Sequence, residues 1–168
     1  MDPCDGAERI SERGQFKECM ARAGRLLATR SRSHNELEGR LVGAGFDPEV
    51  VVAALDRLIE LGLVDDQAFA RRWVEERAIA KGFGAEKLVA ELEAKGIDHE
   101  LAHETISTLD QDESERARAV ALKLAPRVAR KPLAAQASAL ATMLLRRGFG
   151  DDSTESAVKA VLPPEGWD

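Results

Sequence analysis

Apolar positions recur at helical spacing along almost the whole chain, and no stretch alternates as a half-buried strand does. The stretch Val52–Ala78 shows this most plainly. Ala54, Leu55, Leu58, Ile59 and Leu61 form the end of one apolar stripe. Gly62 stands where a helix end takes positive φ, with Leu63 placed to fold back onto the last turn. Asp65 and Asp66 follow as N-cap candidates, and Phe69, Trp73 and Val74 begin the buried stripe of a new helix. One helical unit hands over to another here with almost no linker.

The units on either side repeat one another. LVGAGFDPEVVVAALDRL, LEAKGIDHELAHETISTL and LLRRGFGDDSTESAVKAV align on Gly45, Gly96 and Gly148, which stand 51 (96 − 45) and 52 (148 − 96) residues apart. Leu37, Leu88 and Leu140 lie eight positions before the glycine, and Leu41, Leu92 and Leu144 four before it. Phe46, Ile97 and Phe149 follow it directly; Leu55, Ile106 and Val158 lie ten after it, and Leu58, Leu109 and Val161 thirteen after. Each glycine is expected to end a helix in the left-handed conformation, with the next apolar residue packing back on that helix. Asp47, followed by Pro48, and Asp98 then cap a further helix. Ser33-His34-Asn35-Glu36 reads as a capping box.

One helix precedes each pair. The first is expected over about Phe16–Thr29, with Phe16, Met20, Ala23 and Leu27 on one side, and the second over about Asp66–Lys81, ended by Gly82-Phe83-Gly84. The third starts near Asp112 and meets Pro126, which is expected to end or kink it. The fold class is therefore all-α: three tandem three-helix-bundle repeats in an elongated, curved row, each repeat near the size limit for independent stability. The expected divisions are a polar tail over 1–14, repeats over 15–64, 65–110 and 111–162, and a second tail over 163–168 in which Trp167 packs loosely on its own chain.

RLLATRSRSHNELEGRLVGAGFDPEVVVAALDRLIELGLVDDQAFARRWVEERAIAKGFGAEKLVAELEAKGI resembles the first two-thirds of the RecX family, and LLRRGFGDDSTESAVKAV is similar to its last repeat. The likeness covers about Phe16–Val161 and lies in many positions rather than one motif. It implies tandem three-helix repeats without enzymatic activity. It also implies binding in the groove of the RecA–DNA filament, with inhibition of RecA's ATPase, strand exchange and coprotease functions. Recombination, DNA repair and the SOS response would be modulated in turn. A monomer acting on the RecA filament is expected, with at most weak contact to single- or double-stranded DNA.

Composition narrows the alternatives. The chain is 44% hydrophobic and 32% charged over 168 residues, enough to bury a core. No apolar run is long enough to span a bilayer, the N-terminus MDPCDGAERISERG is too polar for a signal peptide, and two cysteines, Cys4 and Cys19, make no disulfide framework. A cytoplasmic setting without membrane attachment is expected. The net charge of −6 argues against a non-specific nucleic-acid coat, and with 4% aromatics and no Tyr, recognition by base stacking is poorly supported.

His99-Glu100-Leu101-Ala102-His103 matches the H-E-x-x-H zinc-protease pattern, in which two histidines one turn apart hold Zn²⁺ beside a glutamate base. The repeat places it in the first turns of an ordinary capped helix. The one other histidine, His34, is far upstream, and Glu113 or Glu115 would have to serve as third ligand. The structural reading is preferred, and no catalytic set, cofactor or metal is expected.

Charge sign along the chain is more informative. From Arg116 to Arg147 stand Arg116, Arg118, Lys123, Arg127, Arg130, Lys131, Arg146 and Arg147 with no Asp or Glu. An earlier basic stretch holds Arg22, Arg25, Arg30, Arg32 and Arg40, whereas Glu86–Glu115 is strongly acidic. A charge run is usually a solvated face. Here the basic runs fall in corresponding parts of two repeats, so these thirteen residues are taken as candidate partner-binding positions. The alternative is a helix-turn-helix-like DNA-binding regulator. Against it, the helices that would read bases carry Asp47, Glu49, Asp56 and Glu60 in one repeat and Asp98, Glu100 and Glu104 in the next.

Overall fold

The computed structural model describes residues 3–109 and 112–162, with side chains from residue 13 onward. Trp167 and the tail over 163–168 lie outside the described residues. Among the described residues the chain is wholly helical: α1 Pro3–Thr29, α2 His34–Val42, α3 Pro48–Glu60, α4 Asp66–Glu76, a π-helical turn Arg77–Lys81, α5 Ala85–Glu93, α6 His99–Ser107, α7 Glu113–Val128, α8 Leu133–Leu145 and α9 Asp151–Val161. None of these helices is long and apolar enough to cross a membrane. The chain groups into two compact units. One comprises residues up to Phe69 together with Lys95–Ile97; the other comprises Ala70–Ala94 and the residues from Asp98 onward.

The repeat glycines do what their spacing implies. Gly45, Gly96 and Gly148 have φ of 92°, 76° and 77°, and the Phe46 and Phe149 N–H groups reach back to the Leu41 and Leu144 carbonyls. The leucines four and eight before them, from Leu37 to Leu144, are all fully buried. Asp47 accepts from the Glu49 N–H and Asp98 from the Glu100 N–H, each at 2.9 Å, so both cap as expected.

In the first unit α1, α2 and α3 enclose Cys19, Ala23, Leu37, Leu41, Val51, Ala54, Leu55 and Leu58. Past Gly62 it is Val64, 3% exposed, that folds back on this core; Leu63 is 58% exposed. Both N–H groups return to the Leu58 carbonyl, but a side chain one position later points to the opposite side, and that side is the core. Asp65 caps α4 by accepting from the Ala68 N–H. Asp66 instead accepts from the His34 N–H at 2.7 Å and so satisfies an orphan donor of α2. Half of the expected capping box forms: Ser33 accepts from the Glu36 N–H, but the Glu36 carboxylate turns to Arg30, Arg32 and Lys95.

Two helix bounds differ from the sequence reading. Residues 3–14, expected as a tail, continue α1. The segment has no apolar stripe, but adding residues to an anchored helix costs little once nucleation is done, and Pro3 stands in the first turn where its missing N–H is harmless. Pro126 does not end α7, which runs on to Val128. Leu124 and Val128 on either side are buried, at 4% and 0% exposure, and their packing outweighs one lost hydrogen bond.

The second unit's core is built by α7, α8 and α9 around Ala117, Ala121, Leu124, Leu140, Leu144, Phe149 and Val158. Glu113, at the first turn of α7, joins three helix starts: its carboxylate accepts from the Ala85 N–H at 2.8 Å and from the Ser153 hydroxyl at 3.1 Å. Trp73, expected in the core stripe, is half-buried; its indole N–H donates to Glu91 at 3.1 Å while Arg77 lies over its ring at 3.9 Å.

Candidate partner-binding surface

In the second unit a cleft of about 410 Å³ opens between the π-helical turn and α7. Its apolar wall is Ala78, Ile79, Ala119, Val120 and Leu124, and its cations are Lys81, Arg116, Lys123, Arg127 and Arg147; among the described residues no carboxylate lines it. Local structure sets each position. The widened turn Arg77–Lys81 ends at Gly82, φ 62°, whose N–H bonds back to the Arg77 carbonyl. A Cβ at Gly82 would lie 2.7 Å from Val120, so only glycine lets this turn close on α7. Lys123 and Arg127 are four apart on one face of α7, both exposed. Arg147 enters from the turn after α8, its guanidinium donating to the Met143 carbonyl at 3.2 Å.

Arg116 is the deepest of these cations, at 8% exposure. Burial lowers its pKa from the usual guanidinium value, and the charges of Glu113 and Asp112 oppose that shift. A guanidinium keeps its charge regardless, so the cleft is cationic at neutral pH. Single-sign charge in a concave site with low-dielectric walls focuses the field on an anionic partner.

The structure sorts the thirteen sequence candidates. Arg116, Lys123, Arg127 and Arg147 come together in the cleft. Arg118, Arg130, Lys131 and Arg146 are exposed but do not line it. In the first unit Arg22, Arg25 and Arg40 are exposed. Arg30 pairs with Glu36, and Arg32 is 7% exposed with its Nε donating to the Leu26 carbonyl at 3.2 Å, so both are committed to holding the α1–α2 corner. Glu36 feels burial, which would raise its pKa. The Arg30 hydrogen bond and the charges of Lys95, Arg30 and Arg32 outweigh that and hold it below the usual carboxylate value.

Lys81 was not among the sequence candidates. The signal was present: it lies fifteen residues before its repeat glycine (96 − 81), as Arg30 does before Gly45 (45 − 30). The H-E-x-x-H histidines lie with ring centroids 4.4 Å apart, and His99 Nδ1 meets a Glu93 carboxylate oxygen at 2.6 Å. Among the described residues no three His, Cys, Asp or Glu side chains are grouped to hold a metal ion. Glu113, considered as a third ligand, is engaged at the α5 and α9 starts.

Comparison with known proteins agrees with this architecture. Residues 19–58 match the family model for the first three-helix domain of RecX, and residues 65–106 match that for the second. The regulatory protein RecX of Mycobacterium sp. (strain JLS) is 36% identical over 167 residues, covering 95% of this chain and 90% of that one. That of Mycolicibacterium smegmatis is 33% identical over 171 residues, covering 98% and 90%. The crystal structure of RecX from Lactobacillus salivarius superimposes with a TM-score of 0.81 at 22% identity, covering 88% of this chain and 97% of that one. A second crystal structure of regulatory protein RecX gives 0.83, also at 22% identity, covering 92% and 78%. With its repeats, its helices and its relatives in agreement, the chain belongs to the RecX family of regulatory proteins.

Proposed function

We propose that this protein binds the RecA–DNA filament and inhibits RecA's ATPase, strand exchange and coprotease activities by binding alone. The observation that carries the reading is the cleft of the second unit, lined by five cations and, among the described residues, by no carboxylate, in a chain whose net charge is −6. Such a surface suits an acidic protein–DNA polymer better than it suits general nucleic-acid coating. Family membership supplies the regulatory role. Inhibition without chemistry requires only that the protein bind one state of its partner more tightly than another.

The helix-turn-helix reading finds less support. The third helices α3, α6 and α9 carry acidic first turns, with Glu49, Glu100 and Asp151 and Asp152 respectively. These would be repelled by phosphates on either side of a groove. The test is binding to bare single-stranded DNA against RecA-coated DNA at physiological salt. Clear preference for the coated form is expected; equal or stronger binding to bare DNA would favour a direct DNA-binding regulator.

A further inference from the structure

Two of the three repeat glycines are covered by the start of a helix. At Gly96 the Ser33 hydroxyl, at the α2 N-cap, donates to the Lys95 carbonyl at 2.5 Å, and the Asn35 side chain lies where a Cβ on Gly96 would be, 2.0 Å away. At Gly148 the Gly84 N–H, at the α5 N-cap, donates to the Arg147 carbonyl at 2.8 Å, and the Glu86 N–H donates to the Gly148 carbonyl at 3.1 Å. A Cβ on Gly148 would stand 2.3 Å from the Lys87 backbone nitrogen. The two junctions are built alike. At both, the carbonyl end of one helix receives the start of another, so the partial charges of the two termini oppose in sign; at Gly148 two backbone N–H groups supply the bonds, and at Gly96 the Ser33 hydroxyl does.

The third copy of this turn is bare. Nothing among the described residues comes within 4 Å of a Cβ placed on Gly45. Gly45 is exposed, whereas Gly96 is half-buried and Gly148 buried. The apolar residue after it follows the same order: Phe149 and Ile97 are buried at 0% and 3%, while Phe46 is half-buried. Ala44, which corresponds to Lys95 and Arg147, has an exposed carbonyl-bearing turn with no donor on it among the described residues.

We infer that the Val42–Phe46 turn is a docking site for the N-terminus of a helix from the protein partner, received as α2 and α5 are received at the other two turns. The occupant is a helix start with a small or hydroxyl-bearing cap, whose free donors reach the Ala44 and Gly45 carbonyls. An apolar side chain of the partner covers Phe46. This rests on the proposed function for the identity of the partner, a RecA subunit of the filament, and it adds a second contact, on a different unit from the cationic cleft.

Gly45→Asn and Gly45→Asp test it. Asn tolerates the left-handed region and has open space here, yet its side chain would collide with a helix docked as at Gly96 or Gly148. Asp shares that backbone tolerance and blocks the same space. Each variant should keep wild-type helicity and melting midpoint and bind RecA-coated DNA at least tenfold more weakly. Should either variant lower the melting midpoint, binding is measured at a temperature where both proteins are fully folded by circular dichroism. Wild-type affinity in the folded variants would overturn the docking site and leave the proposed function standing; a wild-type protein that does not bind the filament would remove both. Self-association of the wild type in sedimentation equilibrium, abolished by Gly45→Asn, would assign the turn to a second copy and overturn the inference.

Discussion

Glu113 and Glu36 each tie several elements together through one carboxylate, and they are where single substitutions should tell most about stability. Glu113→Ala leaves the Ala85 N–H and the Ser153 hydroxyl without their acceptor. Loss of roughly 2 kcal/mol is expected for two bonds to a charged, part-buried acceptor. Urea denaturation measures it, and a change within 0.5 kcal/mol, on the order of ordinary surface substitutions, would show that the α5 and α9 starts need no such tie. Glu36 makes a prediction in pH. Its folded pKa is depressed below the ordinary glutamate value of 4.5 by Arg30, Lys95 and Arg32 against the opposing effect of burial. The stability it contributes is therefore fully present above pH 4.5 and is lost as pH falls through the lower folded value. Glu36→Gln should remove that part of the acid sensitivity, so the urea midpoints of the two proteins should converge as pH falls below 4.5. Parallel midpoint curves would place the acid response elsewhere.

At the scale of elements, the three repeat glycines offer an internal comparison. All have positive φ, so Gly→Ala costs each about 1–2 kcal/mol of left-handed strain. At Gly148 the added Cβ also meets the Lys87 backbone, whereas at Gly45 it meets nothing described. Gly148→Ala should thus lower the melting midpoint far more than Gly45→Ala; equal losses would mean that the junction at Gly148 relaxes freely.

This difference marks what the sequence could and could not disclose. The glycine spacing, the leucines four and eight before it and the Asp caps were all legible, because turn chemistry and helical period are local. Val64 rather than Leu63 as the returning residue was not, since a single-residue offset decides which side faces the core. The helical course of residues 3–14 carries no periodic signal. The π-helical turn was hidden because Arg77–Lys81 reads as ordinary helix until Gly82 closes it against Val120. For the cleft, the basic run from Arg116 to Arg147 was visible, but which four of its eight cations converge depends on how α7 meets the turn after α8. Arg30 and Arg32, equally basic in sequence, turn out to be structural cations of the α1–α2 corner.

At the scale of the whole molecule, an acidic chain carries a cationic cleft, and association with an anionic polymer should depend on that cleft and on salt. Reversing the three exposed cations Lys81, Lys123 and Arg127 to Glu should weaken filament binding by more than a kcal/mol, roughly tenfold or more, taking about 0.5 kcal/mol for each exposed pair. The effect should shrink as ionic strength rises and screening shortens the reach of these charges. Unchanged affinity at low salt would reduce the cluster to a solubilising face. The most direct measurement of the central claim is RecA's DNA-dependent ATPase under rising concentrations of the full-length protein, with filament binding followed in the same samples. Inhibition that rises in step with filament occupancy is predicted; undiminished ATPase on filaments that are demonstrably occupied would contradict it.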